Sequence, residues 1–493
     1  MTLLNQLNTL ESAGLIQLAA ALPELEYLFR HALVQEAAYG SLLRNDRRQL
    51  HQSVGEALEH LYPAKLDEHA ALLAYHFEKA AVMEKAVHYL IRAGDYAGAG
   101  YANAEAIAFY QAALPQVEAW WEQTGEEHHR VELAELLEKL AKATERTGQH
   151  ETARAYFYRA LDNQPDDPLI ASRLCRQIGV THTIERHFPE ALQVWEKAEA
   201  SLGTLTEQSA PACWYEWIEL QVERCWAWYW QAALKEMDLT CRQVMPAAEK
   251  YGTPAQRSRT LIIYSLYRFR LERYIVADDV LVDAEKSLIA AQEAGRIDLI
   301  FDAAFGLGLL HLCRRELSPA EENLQQAYAY AQRLGDPVKI SRAANYLMML
   351  ARMRGLIEQV DAYIPIILST TWAGPMADYT PQVKASQSWL AWRKGDLAAA
   401  KALGLESLAM LDRAPIKYPF YWTTIGPLLA VALAENDPSS ARNYAERLLE
   451  PTQIPLPDDL EQMLEQALHT TEDHLAQTKF ELAMALAQGY GYL

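Results

Sequence analysis

Residues 134–165 read AELLEKLAKATERTGQHETARAYFYRALDNQP and divide into two amphipathic helices around Gly148. Leu137, Leu140 and Ala141 recur at helical spacing before the glycine, and Ala153, Phe157 and Ala160 recur after it. The second half follows a rule: a small residue at n, a bulky one at n+4 and a small or apolar one at n+7. The rule repeats outward along the chain as Ala86/Leu90/Ala93, Ala106/Tyr110/Ala113, Ala191/Trp195/Ala198, Ala320/Leu324/Ala327, Val360/Ile364/Ile367 and Ala441/Ala445/Leu448. Ala153 and Ala191 are 38 residues apart, Val360 and Ala400 40, and Ala400 and Ala441 41. Self-similarity at such a period marks a repeat architecture in which each unit buries its apolar face against the next.

Five residues before the small position stands a turn residue: Gly148, Gly355, Gly395 or Asn436. A helix C′ position commonly takes positive φ, which glycine adopts freely. Helix starts are marked by an acceptor side chain followed by proline, at Asp167-Pro168, Ser318-Pro319, Asp336-Pro337 and Asp437-Pro438. Proline at the first helical position loses no hydrogen bond. Ser318 and Glu321 have the spacing of a capping box. Strand signals are almost absent, so the expected class is all-α.

These residues resemble the tetratricopeptide repeat, in which a small residue lets paired helices approach and a bulky one wedges between them. Leu137, Leu140, Ala141, Ala153, Phe157, Ala160 and the closing Pro165 fall at the family's positions, and Gly179 and Gly308 at its close-packing glycine. The family's first-helix Trp and Tyr are mostly missing, and the unit is near forty residues, as in the longer repeats of large bacterial regulators. The resemblance implies a right-handed α-solenoid of about nine or ten hairpins. The expected divisions are 1–45 (winged-helix remnant and junction), 46–204 (repeats), 205–295 (divergent aromatic-rich repeats) and 296–493 (repeats with an acidic tail).

The amino end differs. A helix with Leu3, Leu4, Leu7 and Leu10 stops at Gly14, an apolar Leu15-Ile16 follows, and a turn near Pro23 leads into Tyr27 to His31 and another helix. This reads as the back half of a winged helix. Residues 29–39 (FRHALVQEAAY), followed by Leu42-Leu43-Arg44 and Arg47-Arg48-Gln49-Leu50-His51, resemble the junction of signal-transduction ATPases with numerous domains, including relatives fused to class III nucleotide cyclases. There the junction joins an ATPase module and its winged helix to the repeats, which bind a partner while the ATPase switches state. The resemblance covers about residues 25–115. It implies that the chain starts inside the winged helix, as the carboxy-terminal piece of such a protein. No G-x-x-x-x-G-K-[ST] phosphate loop occurs in the sequence.

Composition narrows the function. The formal charge is −20 with 45 Lys and Arg against 65 Asp and Glu, which opposes a polyanionic partner. The first basic residue is Arg30, so the candidate recognition helix (Asn5, Gln6, Asn8, Thr9, Glu11) lacks phosphate contacts, and neither nucleic acid nor anionic membrane is expected. Arg44, Arg47 and Arg48 form the one compact basic cluster, read as a solvated helix start or a docking surface. Residues 451–493 carry seven acids against Lys479, a solvated face. Five scattered cysteines without a C-x-x-C pair argue against disulfides and zinc, and suit a reducing cytoplasm. No apolar run approaches the roughly 18 residues of a membrane span, and Met1–Ser12 has no basic signal region.

Residues 214–230 hold five of the twelve tryptophans: Trp214, Trp217, Trp226, Trp228 and Trp230, with Tyr215 and Tyr229. Trp214, Trp217 and Trp228 share one helical face and Trp226 and Trp230 lie toward another, so the helix must be covered on both sides. In a solenoid one side meets the neighbouring repeats and the other the groove, which makes these rings candidate partner contacts or, alternatively, core. Trp372, Tyr379, Trp389, Trp392, Tyr418, Phe420, Tyr421 and Trp422 pose the same choice around the loop Gly374-Pro375 to Pro381. The histidine pairs His69/His76, His128/His129 and His182/His187 lack a third ligand at zinc spacing. Adjacent acids such as Asp278-Asp279 diverge by about 100° on a helix, and no nucleophile motif appears. The expectation is therefore a non-enzymatic module without metal or cofactor that holds a protein or peptide, with an ATPase in cis or trans as a further partner. A free-standing scaffold and a small-molecule sensor built on the aromatics are the alternatives.

Overall fold

A computed structural model describes residues 3–20, 26–100, 102–164, 167–370, 378–414 and 418–493. Pro23, Pro165, Trp372 and the Gly374-Pro375 turn lie outside the described residues. The chain forms two compact units, residues 1–201 and 202–493.

In the first unit α1 (Leu3–Ser12) precedes an antiparallel hairpin of β1 (Ile16–Ala20) and β2 (Glu26–Phe29), in which Ile16 faces Phe29 and Leu18 faces Tyr27. The all-α expectation missed these strands, whose four or five residues are too short to show an alternating pattern. Then come α2 (Ala32–Ser41), α3 (Arg44–Leu61), α4 (Ala70–Ala80), α5 (Met83–Ala99), α6 (Asn103–Thr124), α7 (Glu127–Arg146), α8 (His150–Asn163), α9 (Pro168–Ile184) and α10 (Phe188–Leu202). From α3 onward successive helices pack side by side. Ala153, Phe157 and Ala160 on α8 and Ala191, Trp195 and Ala198 on α10 are all wholly buried. Each such large side chain contributes about 1.5–3 kcal/mol of burial. Leu90 departs from the rule: it is half-buried, and Tyr89 takes the buried place.

The second unit holds α11 (Pro211–Gln231), α12 (Leu234–Tyr251), α13 (Pro254–Leu271), α14 (Asp278–Ala294), α15 (Ile297–Cys313), α16 (Leu317–Leu334), α17 (Pro337–Met353), α18 (Ile357–Leu368), α19 (Thr380–Arg393), α20 (Leu397–Arg413), α21 (Trp422–Ala434), α22 (Pro438–Leu448), α23 (Asp458–Leu468) and α24 (Asp473–Gly489). Odd-numbered helices pack on one another as well as on their hairpin partners, so α11, α13, α15, α17, α19 and α21 form an inner row. The chain end returns to the middle of the unit: Arg315 donates to the Tyr490 carbonyl at 2.6 Å and lies over the Tyr490 and Tyr492 rings, and Tyr492 and Leu493 are buried.

The local signals resolve unevenly. Asp167, Asp336 and Asp437 cap α9, α17 and α22, each accepting from backbone N–H groups of the first turn. Ser318 does not cap α16. That helix already starts at Leu317, because Arg315 takes a left-handed conformation (φ 63°) and Arg314 and His311 hold Glu316 at the turn. Glu321, the other half of the expected capping box, pairs with Arg354. The capping box is instead Thr253 with Gln256, at the start of α13. Gly148, Gly355, Gly395 and Asn436 all have positive φ, as their turn positions require.

Gly179 is the tightest interlock, since a Cβ there would meet the Trp195 ring nitrogen at 2.1 Å. Gly179→Ala is expected to destabilise the chain by about 2 kcal/mol in urea denaturation, overpacking outweighing the helix propensity that alanine adds.

Candidate partner-binding surface

The tryptophans of α11 divide between two packing environments. Trp214 stacks on Tyr251 of α12 with centroids 4.3 Å apart, meets Trp217 edge-on, and donates to the Thr206 carbonyl at 3.2 Å. Trp217 packs with Trp214 and Trp226 around Ile218, Val222 and Val244, and Trp228 packs on Cys225, Met237 and Ile263. Trp230 meets Trp226 and Tyr229. All five rings are half-buried. Trp392 is half-buried too, whereas Trp389 is wholly buried among Ala344, Met348, Ile367 and Val383. The Trp389 ring therefore packs in the core with no accessible surface, and its Nε1 has no hydrogen-bond partner.

Sequence reading passed over the inner row itself. Arg259 of α13 bonds Glu219 and Glu223 of α11, the latter at 2.6 Å, and Lys339 of α17 bonds Asp302 of α15 at 2.7 Å. Arg270 donates to the Tyr229 carbonyl and lies 4.1 Å from that ring's centre. Further along α17, Asn345, Tyr346 and Arg352 follow Arg342 by three, four and ten residues, within an arc of about 120° of the helix. Tyr346 meets Phe305 and Phe420 edge-on, and Phe420 in turn meets Tyr418.

Desolvation dominates the electrostatics of these residues. Arg342, Tyr346, Tyr379 and Tyr418 all keep accessible surface. Yet desolvation is the leading influence on Arg342, opposing its charge, while the Tyr379 phenol and the Asp302 carboxylate hold its pKa above the ordinary value. Desolvation also drives the Tyr346 hydroxyl well above its usual range, helped by Tyr418, Tyr379 and Tyr229, and raises Tyr418 likewise. These groups are thus accessible and desolvated at once, on one part of the inner row.

The structure also revises the histidine reading. Ligand atoms of Glu126, His128 and His129 lie within 4.8 Å of one another, so a third group does join that pair. His129 Nδ1 is 2.8 Å from Thr124 Oγ1 and His128 Nδ1 is 3.3 Å from Glu126, all near the surface. His69 and His76 do not meet: His76 Nδ1 lies 3.0 Å from His51 Nδ1, and His51 Nε2 lies 3.0 Å from the Tyr39 hydroxyl. His182 and His187 have ring centres 6.2 Å apart. No described helix is long and apolar enough to cross a membrane.

No family model matches the chain. An uncharacterised protein of Rhizobium meliloti (strain 1021) is 32% identical over 112 residues, 23% of this chain and 11% of that protein. The match thus spans about a tenth of the length of that relative. Among solved structures, a Rap protein complexed with competence and sporulation factor is similar with a TM-score of 0.48 at 14% identity, covering 76% of this chain and 97% of that one. NprR in complex with its cognate peptide NprX gives 0.43 at 12% identity, covering 64% and 83%. A Signal Transduction ATPase with Numerous Domains protein with a tetratricopeptide repeat sensor, from Pyrococcus horikoshii, gives 0.43 at 14% identity, covering 88% and 66%. At these scores no function passes from them to this chain.

Two outcomes follow from the side-chain placements. Trp389→Ala should cost about 3–5 kcal/mol in urea denaturation and Trp230→Ala about 1 kcal/mol or less, because only the first ring is wholly buried. His51 and His76 both lie below their ordinary value of 6.5, each chiefly through burial, then through Lys79 for His51 and through His51 for His76. The unfolded chain therefore takes up protons first as pH falls, so this contact stabilises above pH 6.5 and is lost below it. Hydrogen exchange of residues 32–80 should quicken, after correction for intrinsic rates, when the pH is lowered from 7.5 to about 5.

Proposed function

We propose that this chain is the partner-sensing part of a multidomain signalling protein. Unit 2 holds a protein or peptide along its inner helices, and the amino-terminal segment packs against an effector module of the ATPase kind. The observation that carries this reading is the surface of residues 3–61. Neither α1 nor α2 buries a residue, and Ile16 and Gly55 are the buried residues of the whole described segment. Leu3, Leu28, Leu33, Leu43 and Leu61 are 57–78% exposed. An apolar surface of this extent, on a short helix–hairpin–helix segment, is what an interface looks like before its partner is added. Its order of elements is that of the trailing half of a winged helix, and the junction sequence that follows is the one that resembles the signalling ATPases.

Unit 2 supplies the sensing side. Its inner row joins aromatic rings to arginines, the residue types that dominate protein-binding hot spots.

Affinity capture tests the reading, with the whole chain as bait in an extract of the organism that encodes it, compared with L28S/L33S/L43S. The wild-type chain is expected to retain a protein carrying a phosphate-loop ATPase module, and the triple variant to lose at least tenfold of it while keeping its helical circular dichroism. Equal retention by both, or no phosphate-loop protein with either, contradicts the proposal.

A further inference from the structure

Buried polar atoms without partners are few in the second unit, and they share a chemical sense. Among its described residues they are Arg315 Nη1, Asn345 Nδ2, Arg352 Nε, Arg352 Nη2, Trp389 Nε1 and Gln382 Oε1. All but the last are donors. Asn345, Arg352 and Trp389 are each at least 99% buried. A buried donor left unmade is costly, and native structures keep such groups where an acceptor belongs.

Charge points the same way. Arg352 donates to the Thr423 carbonyl and lies between the Trp389 and Trp422 rings, with its Cζ 5.6 and 5.4 Å from their centres. It has no carboxylate within 4.0 Å among the described residues, and neither has Arg342. Burial pulls the Arg352 pKa down to about 9, so the guanidinium is still cationic at neutral pH. Arg352 has no acidic partner, and Asp302, whose charge reaches Arg342, is bonded to Lys339, so this face carries excess positive charge in a chain of net charge −20. Between the two arginines the Asn345 amide lies near the Tyr418 oxygen, which its N–H steadies, but Nδ2 completes no hydrogen bond there. Arg342 and Arg352 are ten residues apart, roughly 15 Å along α17.

We propose that this face of α17 is an oxyanion site: Asn345, Arg352 and Trp389 form its floor, Arg342, Tyr346 and Tyr418 its accessible mouth, and the ligand is a carboxylate or phosphate group. The inference rests on the reading of unit 2 as the partner-holding part. A water molecule accepts from such donors but brings protons that need acceptors, and it leaves Arg352 uncompensated. An oxyanion supplies several acceptor lone pairs and the missing negative charge together. The source is either an acidic segment of the partner or a free anion.

The test uses the whole chain and follows its thermal midpoint and titration calorimetry with three probes: inorganic phosphate, citrate, and an acetylated Gly-Asp-Gly-Asp peptide. Ionic strength is held constant with sodium chloride. At least one probe should raise the midpoint saturably, by about 3 °C or more at a hundredfold excess over its dissociation constant. R342Q should weaken that response at least tenfold. N345L replaces the unpartnered amide by an apolar group of similar size, so it should fold at least as well as the parent and lose the response. A response to phosphate assigns the site to a free oxyanion, and a response to the peptide and citrate alone assigns it to carboxylates. No shift beyond the chloride control, or shifts of equal size in R342Q and N345L, overturns the proposal. Retention of the phosphate-loop protein by the same preparations reports separately on the function proposed above, so an oxyanion site that fails leaves that reading standing.

Discussion

A Cβ added to Gly179 would stand 2.1 Å from Trp195, one added to Gly94 would stand 2.3 Å from Tyr110, and one added to Gly308 would stand 2.9 Å from Leu324. In each case a helix gives up its side chain so that a large one from the next helix can lie against bare backbone. The rest of the structure depends on this interlock. It brings the two helices of these hairpins into close contact, and the alanines at n and n+7 beside each large side chain are wholly buried. Packed interiors admit little adjustment, so the small–bulky–small rule is a spacing rule imposed by volume.

The same interlock explains what the sequence made legible. The pattern around Phe157 and Trp195 could be read because a close helix contact demands particular sizes at particular intervals. Asp167-Pro168 and Asp336-Pro337 could be read because a cap is a local matter of one acceptor and one missing donor. Ser318-Pro319 carried the same letters, but the turn before it was settled by Arg314, Arg315 and His311, and the helix began a residue early. The hairpin of residues 16–29 was missed for lack of length.

The candidate site was the less legible part. Five tryptophans in α11 draw the eye by composition, yet their half-buried rings are shared among α12, α13 and one another. Arg342, Asn345 and Arg352 read in sequence as ordinary polar residues on a helix. Their meaning depends on what does not stand opposite them, and the absence of a carboxylate partner is a property of tertiary structure alone. The N-terminal segment shows the complementary case: Leu3, Leu4 and Leu10 recur along one helix in the sequence, and only the fold shows that nothing in the described chain covers them.

The chain thus uses its large side chains chiefly to bind helix to helix and leaves α17 of the second unit with donors and positive charge but few acceptors. The most direct measurement of that claim is a crystal structure of the whole chain grown in selenate, with anomalous data collected at the selenium edge. The account predicts an anomalous peak within about 4 Å of Asn345 Nδ2 or the Arg352 guanidinium. Selenate peaks confined to surface lysines and arginines, with Asn345 and Arg352 bonded to protein groups or to a neutral water, would contradict it.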